Sequence, residues 1–376
     1  MEHTFTANIK SILNSNFGKD ADEIFKNSNL LQYINLKTRS ANKGSKARSS
    51  FANLYAIYVI LEDYIDQGFD KKSGYAKYKG AAFVKLFTRQ RELPFGNKLQ
   101  NHALNNRMNA EFQKYFPSSE ITPILRNLET NRYWINENLL KIEVGETAYN
   151  LAPVINEIID EYSKTKQDAF QRFIRACEEL KEIENSKPEQ VIEFISGLIA
   201  PNVDARFFEI VSYSILKFYY HDQYIFWGYE IDKLNKANLK LFKTGRTNAN
   251  DGGIDFVMQP LGRFFQVTET LDFKKYFLDI DKIQKFPITF VVKSDEAIED
   301  LLNKIRTNAN KIYLVTAIVD KYMACIEEVI NIPMLNQRFN DTIKLGYLNN
   351  ILHEIITQSK VEFYYTDTKE LDEQTD

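Results

Sequence analysis

Hydrophobic positions along this chain follow two different spacings. Over the first half they recur every three or four residues, the period that lines one face of an α-helix. Phe5, Ile9, Ile12 and Leu13 form such a face, with Gly18 as a stop, in a segment (residues 1–35) that reads helix, loop, helix. Residues 51–65, 121–135 and 151–182 continue the helical period, and residues 81–91 read as a short helix or strand. Ser49 or Ser50 is placed to cap the helix at 51, and Asn150 to cap the one at 151. Residues 68–80, rich in Gly, Lys and Tyr, form a connector. The polar stretch 184–188 closes on Pro188, which stops a helix. It predicts a division into a mainly helical region, 1–185, and a second domain, 189–376.

Beyond that linker the pattern changes. A short helix at 189–200 and a strongly apolar one at 204–220 precede runs of strand length at 239–243, 254–258, 263–268, 286–293 and 311–319. Helices at 296–306 and 342–356 alternate with them, an edge strand is expected at 361–365, and the acidic tail reads as unstructured. Alternating helices and strands predict an α/β (α+β) domain behind a mainly α-helical N-terminal region. Gln259-Pro260-Leu261-Gly262 supplies a hairpin connection between two of the strands. Side chains alternate along a strand, so Gln266 and Thr268 share a face and Val267 takes the other. The hairpin therefore offers an acid, Asp255, and an amide, Gln266, from adjacent strands. Such a pair suits a divalent metal.

Composition narrows the class. With 376 residues, 44% hydrophobic and 26% charged, the chain has the make-up of an ordinary globular protein with room for two domains or three. Its two cysteines, Cys177 and Cys325, form no CxxC or Cys/His cluster, which argues against structural zinc and for buried free thiols. The start of the sequence lacks a basic run followed by an apolar core, and no apolar run reaches membrane-spanning length, so a cytoplasmic protein without a membrane partner is expected. The net charge of −3 hides an asymmetry: from Lys37 to Lys114 there are fifteen Lys/Arg against six Asp/Glu, an excess of nine. Lys37, Arg39, Lys43, Lys46 and Arg48 follow one another without an acid and run into a helix start, where backbone N–H groups and cations together collect phosphate. A second segment, 89–109, crowds Arg89, Arg91, Asn97, Lys98, Gln100, Asn101 and Arg107 onto an expected helix. Such side chains clamp phosphates or read base edges. Both segments also read as solvated surface, and the lone His102 as an ordinary surface or core histidine. Arg246 and Asn248, just before Asp255, are placed to contact nucleic acid near a reacting phosphate or to form a loop only.

Taken in order, the second half presents a helix with Glu209 in R-F-F-E-I-V, a strand ending near Lys243, D-G-G-I-D ending at Asp255, and F-F-Q-V-T ending at Thr268. This series resembles the PD-(D/E)xK nuclease superfamily, to which most type II restriction endonucleases belong. The D-G-G-I-D-F form with Gln on the following strand is similar to the Mrr-type branch, where Gln replaces the second acid. The resemblance covers about residues 204–293. It implies a restriction-endonuclease-like core and a site-specific, Mg2+-dependent endodeoxyribonuclease, with Mn2+ as a substitute metal. Asp255 would be the metal ligand, Gln266 the second-strand ligand and Glu209 an auxiliary ligand. It further implies double-stranded DNA as partner, a homodimer in which each subunit cuts one strand, and a cognate DNA methyltransferase as genetic partner. One departure stands out: Thr268 occupies the place of the family lysine. Lys243 is the first candidate to replace it and Lys274 or Lys275 the next; a second metal or a catalytically dead site are the other options. Glu269, by alternation, points away from the Gln266 face. A modification-dependent or repair nuclease, or a non-catalytic DNA-binding protein on a degenerate nuclease fold, are the competing readings.

Overall fold

The computed structural model describes residues 2–39, 47–71, 77–97, 99–244, 254–269 and 271–363, without the side chains of 47–49 and 363. Contacts divide the chain into two compact units, Met1–Phe173 and Ile174–Asp376. The division lies inside the helix Ala152–Ile183, ahead of the 184–188 stretch expected as linker. At 59% helix and 15% strand the protein is mixed α and β.

In the first unit α1 (Thr6–Phe17) buries Ile9 and Leu13 and stops at Gly18, whose φ of 56° glycine adopts without strain. Next come α2 (Ala21–Asn27) and α3 (Asn29–Thr38), the latter capped by Ser28, whose hydroxyl accepts from Leu31 N. The core helix α4 (Ala47–Asp66) buries Leu54, Ala56, Ile57, Val59, Ile60 and Leu61, apolar on nearly every side as a central helix must be. Then follow β1 (Ala81–Ala82), α5 (Phe83–Glu92), α6 (Met108–Tyr115), β2 (Ile124–Asn127), β3 (Arg132–Ile135), β4 (Lys141–Val144), β5 (Thr147–Asn150) and α7 (Ala152–Ile183). The strands make an antiparallel sheet in the order β1–β3–β2 and a separate β4–β5 hairpin. Asn150 caps α7, its side chain accepting from Ala152 N at 2.9 Å.

Two expectations for this unit are corrected. Residues 121–135 form the β2–β3 hairpin rather than a helix. The Asn127 side chain accepts from Glu129 N and Thr130 N and turns the chain, while Asn109 clamps the backbone N–H and C=O of Ile124 at 2.8 Å each. Helix α4 begins at Ala47, so Ser50 lies inside it, buried, and caps nothing.

The second unit opens with α8 (Pro188–Gly197) and α9 (Ala205–Tyr219), capped by Asp204. A β6–β7 hairpin (Tyr224–Trp227, Asn235–Asn238) precedes β8 (Lys240–Lys243), β9 (Phe256–Gln259) and β10 (Arg263–Thr268). The last three make an antiparallel meander, with Gly262 at φ 68° in the second turn. Helix α10 (Phe273–Lys282) crosses to β11 (Ile288–Val292), parallel to β10. Then α11 (Ile298–Asn310) and α12 (Thr316–Met323) lead to β12 (Ile326–Ile330), parallel to β11, and α13 (Ile332–Lys344) and α14 (Leu348–Phe363) follow. The sheet order is β12–β11–β10–β9–β8. On one face Phe256 meets Tyr213 of α9 and Phe265 meets Tyr220 at that helix's C-cap, and α9 packs on α13 and α14. On the other, Ile288, Phe290 and Val292 join the core built by α10 and α11, with Phe290 4.5 Å from Tyr276.

Here three further expectations fail. The apolar run 311–319 is not a strand: Leu314 is fully exposed, Val315 half so, and α12 starts at Thr316. The strand is β12, hidden in the sequence by Glu327 and Glu328. Arg263 donates to Glu328 at 2.6 Å and Arg338 to its other oxygen, so that charge is compensated within the sheet. Residues 342–356 belong to two helices, parted at Gly346 with φ 86°. Residues 361–363 end α14 rather than form an edge strand, and 364–376 lie outside the described residues. Cys177 is buried, which pushes its thiol up to about 12, whereas Cys325 is partly exposed, with Sγ 3.3 Å from the Lys285 carbonyl. No described helix is long and apolar enough to cross a membrane.

Truncating Phe290 on the central strand should cost about 3–5 kcal/mol, the range for large buried rings. Urea denaturation of Phe290→Ala reads this as a lowered midpoint with an unchanged slope.

Candidate active site

The β9–β10 register runs Arg263↔Met258, Phe264↔Val257, Phe265↔Phe256 and then stops. At that point β9 leaves β10, and Asp255 turns its carboxylate into the gap. Its Oδ2 accepts from Gln266 Nε2 and from Val267 N, both at 2.7 Å. A side-chain oxygen thus takes the place of a ladder acceptor, and two charge-assisted bonds fix its orientation. The backbone is tied on both sides, with Asp255 N donating to Phe265 O and Thr244 N to Asp255 O, each at 3.0 Å. Gln266 is 7% exposed, and its Oε1 is buried with no hydrogen-bond partner. Leaving a buried acceptor unpaired costs roughly 1–3 kcal/mol, so such an atom marks a place for a cation or a donor.

That orphan oxygen is the test of whether a divalent ion suits these residues. Mg2+ is commonly held by one or two carboxylates together with substrate phosphate oxygens, and Asp255 with the Gln266 carbonyl offers one charged and one neutral oxygen. The donor chemistry fits. Among the described residues no group of three or more His, Cys, Asp or Glu could hold a metal.

Glu209, expected as the auxiliary ligand, instead meets Lys243. Lys243 Nζ lies 3.1 Å from Glu209 Oε1, and both side chains are mostly buried. Helix α9 and the last residue of β8 set this pair on the sheet face carrying Phe256, opposite which Lys243 stands in the register. Nζ also lies 6.0 Å from the centre of the Tyr213 ring, whose hydroxyl donates to Leu241 O. Burial is the main cause that pushes the Tyr213 hydroxyl up to about 12. The structure thus forms two pairs, Asp255–Gln266 and Glu209–Lys243, joined through the Thr244–Asp255 backbone bond. Thr268 is buried beside Gln266 on the same face of β10. Lys274 and Lys275 are exposed on the first turn of α10.

One cation escaped the sequence reading. Lys293 follows β11, one step past the Thr268↔Val292 pair, and its N donates to Thr268 O at 2.9 Å. Its ammonium is buried against Glu269 and the Val203 carbonyl. The signal was present, since the run F-P-I-T-F-V-V-K closes on that lysine.

The residues expected to contact DNA fare unevenly. Lys37 is corrected outright: it is 7% exposed with Nζ 2.7 Å from Glu111, so its charge is spent inside the first unit. Arg89 is held by Glu62 through two bonds of 2.8 Å. Arg91 donates to Asn97 O at 2.7 Å and stays exposed, as do Arg39, Asn97, Gln100 and Arg107, while Asn101 is half-buried. In place of a regular helix over this segment, a π-helical turn (Ala103–Arg107) runs into α6. Lys43, Lys46, Lys98, Arg246 and Asn248 lie outside the described residues, as does the side chain of Arg48.

Comparison with protein-family models, with curated proteins and with solved structures gives no match. The geometry therefore carries the functional argument by itself.

The Glu209–Lys243 pair has a measurable signature. Removing one partner strands a mostly buried charge, so Lys243→Met alone should cost about 3 kcal/mol. The double variant Lys243→Met/Glu209→Leu should recover part of that loss, giving a coupling of about 0.5–3 kcal/mol in a double-mutant cycle by chemical denaturation.

Proposed function

We propose that this chain is a metal-dependent nuclease that hydrolyses phosphodiester bonds in double-stranded DNA, of the type II restriction kind, on a restriction-endonuclease-like core. The observation that carries this reading is the meeting of Asp255 and Gln266 at the parting of β9 and β10, with the Gln266 oxygen buried and unpartnered. The order α9, the β8–β9–β10 meander, α10 and β11 supports it, because it holds Glu209, Lys243, Asp255 and Gln266 on the elements that the PD-(D/E)xK resemblance requires.

Phosphodiester hydrolysis needs charge stabilised on the phosphate, a water deprotonated and a leaving oxygen neutralised. Mg2+ at this site would supply electrostatic stabilisation of the phosphate and acidify water. In this reading Asp255 supplies the charged oxygen, and its bonds to Gln266 Nε2 and Val267 N hold it in place. Gln266 supplies the neutral oxygen. Lys243, held by Glu209 in an ion pair, lies on the α9 face of the sheet and Thr268 on the other, so the role left vacant by Thr268 has no cation assigned to it among the described residues. Arg39, Arg91 and Arg107 on the first unit provide phosphate contacts. Action on a two-fold DNA site calls for two copies of the chain, each cutting one strand. A cognate methyltransferase would protect the host DNA.

Plasmid digestion with Mg2+ or Mn2+ tests this directly. Wild type should yield discrete fragments. Asp255→Ala should lose at least about a hundredfold in rate, since the ligand it removes serves several kcal/mol of charge stabilisation. Cutting confined to methylated DNA moves the answer to a modification-dependent nuclease. Tight binding without cutting in either metal sinks the nuclease reading in favour of a DNA-binding protein, which the buried Thr268 would then explain.

A further inference from the structure

Residues 235–244 run as one extended strand, β7 continuing through Leu239 into β8, because Leu239 N donates to Gln223 O at 2.8 Å and keeps the β6–β7 register. Burial alternates along it without a break. Ala237, Leu239, Leu241 and Lys243 are partly or wholly buried, while Lys236, Asn238, Lys240 and Phe242 are exposed. The outward positions recur about every 7 Å and form a stripe on the order of 25 Å long. Its first half is widened by β6, where Phe226 stands opposite Lys236 and Tyr224 opposite Asn238, 61 and 51% exposed. In its second half Phe242, 43% exposed, stands opposite Val257, and Val257 opposite Phe264, two residues from Gln266. That half therefore lies on the face of Gln266 and Thr268. The stripe ends at Thr244, whose N donates to Asp255 O at 3.0 Å.

Rings and cations are interleaved on this stripe. Residues 233–243 hold four lysines and no acid. Lys233 is spent on Glu230 and Lys243 on Glu209, which leaves Lys236 and Lys240, both facing outward. An apolar protein surface laid here would strip water from both ammonium groups and replace it with nothing, which argues against that occupant. A nucleic-acid strand supplies what the stripe lacks, flat faces for the rings and a negative phosphate for each cation. The rings also select the state of the strand. Inside a duplex each base is covered above and below by its neighbours, whereas an unpaired base has a face free to stack. Tyr224 and Phe226 stand at 90° with centroids 5.8 Å apart, so each takes a separate base. Lys236 lies with Nζ 3.8 Å from the Tyr224 ring centre. An exposed cation–π contact is weaker than base stacking, so an arriving base displaces that ammonium towards a phosphate. Trp227 alternates to the opposite face and stands outside the stripe.

We propose that this stripe binds unpaired nucleotides, so that the DNA cut at the Asp255–Gln266 corner is a duplex with a single-stranded flank lying over Phe242, Lys240 and the Tyr224 and Phe226 rings. The proposal rests on the nuclease reading, but its test reads binding in EDTA, whereas that reading stands or falls by cutting. The probes are a labelled blunt duplex and the same duplex with an oligo-dT extension on its 3′ or its 5′ end, followed by fluorescence anisotropy with the full chain. Wild type should bind one of the extended duplexes at least about tenfold more tightly than the blunt one, as two ring–base stacks supply. Tyr224→Leu/Phe226→Leu keeps apolar cover on the ribbon and removes the rings. It should lose that preference with blunt affinity unchanged and the same circular dichroism. Lys236→Ala/Lys240→Ala should lower the slope of log Kd against log salt by about 1.4, two single-strand phosphates at ~0.7 each. Trp227→Leu, on the other face, should bind as wild type does. Equal affinity for blunt and extended duplexes, or no binding of any probe, overturns the proposal. So does a preference that survives Tyr224→Leu/Phe226→Leu or is lost in Trp227→Leu. Plasmid cutting without the preference overturns this proposal alone, and the preference without cutting in Mg2+ or Mn2+ overturns the nuclease reading and keeps the stripe as a binding site.

Discussion

Covering β10 and β11 on both faces is the constraint on which the second unit depends. Every residue of β11 is buried, and β10 turns Phe265 to α9 while its other face belongs to the core around Tyr276 and Phe290. Strands buried on two sides need helices on two sides. This is why α9 and α10 take opposite faces. Polar side chains are then admitted only where the ladder frays or where a charge finds an internal partner. Asp255 sits at such a fraying point, and Arg263, Glu328 and Arg338 compensate one another at the other end of β10.

The same economy of charge governs the candidate site. Each lysine brought near it by the sheet is matched to an acid, Lys243 to Glu209 and Lys293 to Glu269. Among these polar groups the Gln266 oxygen is the exception, buried without a partner. An orphaned acceptor beside a fixed carboxylate is what distinguishes this corner from a structural ion-pair cluster, and it is why the corner rather than either lysine pair anchors the functional reading. The β6–β7 ribbon is a different kind of exception, one of uncovered rings.

How much of this was legible depended on whether local pattern and final environment agreed. The hairpin 254–268 was readable because Pro260 and Gly262 marked its turn and strict alternation told the faces of β10 apart. Helix caps at Asn150 and Asp204 rest on bonds that span two residues, and Asn150 could be named from the sequence. By contrast 311–319 looked like a buried strand and is largely exposed, while β12, interrupted by Glu327 and Glu328, was not singled out as a strand and is paired. Residues 121–135 had helical spacing, yet Asn127 and Asn109 hold them as a hairpin.

The sequence alone determined some of the local elements: that α1 stops at Gly18, that Asn150 stands ahead of α7, which residues of a strand share a face, and hence that Asp255 and Gln266 belong to neighbouring strands. These follow from short-range sterics and from the periods of helix and strand. Only the tertiary structure decided which charges are spent. Lys37 looked like a phosphate contact and lies buried on Glu111, 74 positions away, and Lys243 and Glu209 meet across 34 positions. Such pairings follow from how elements pack. An isolated stretch of sequence carries no record of them, because the partner's distance along the chain says nothing about its distance in space.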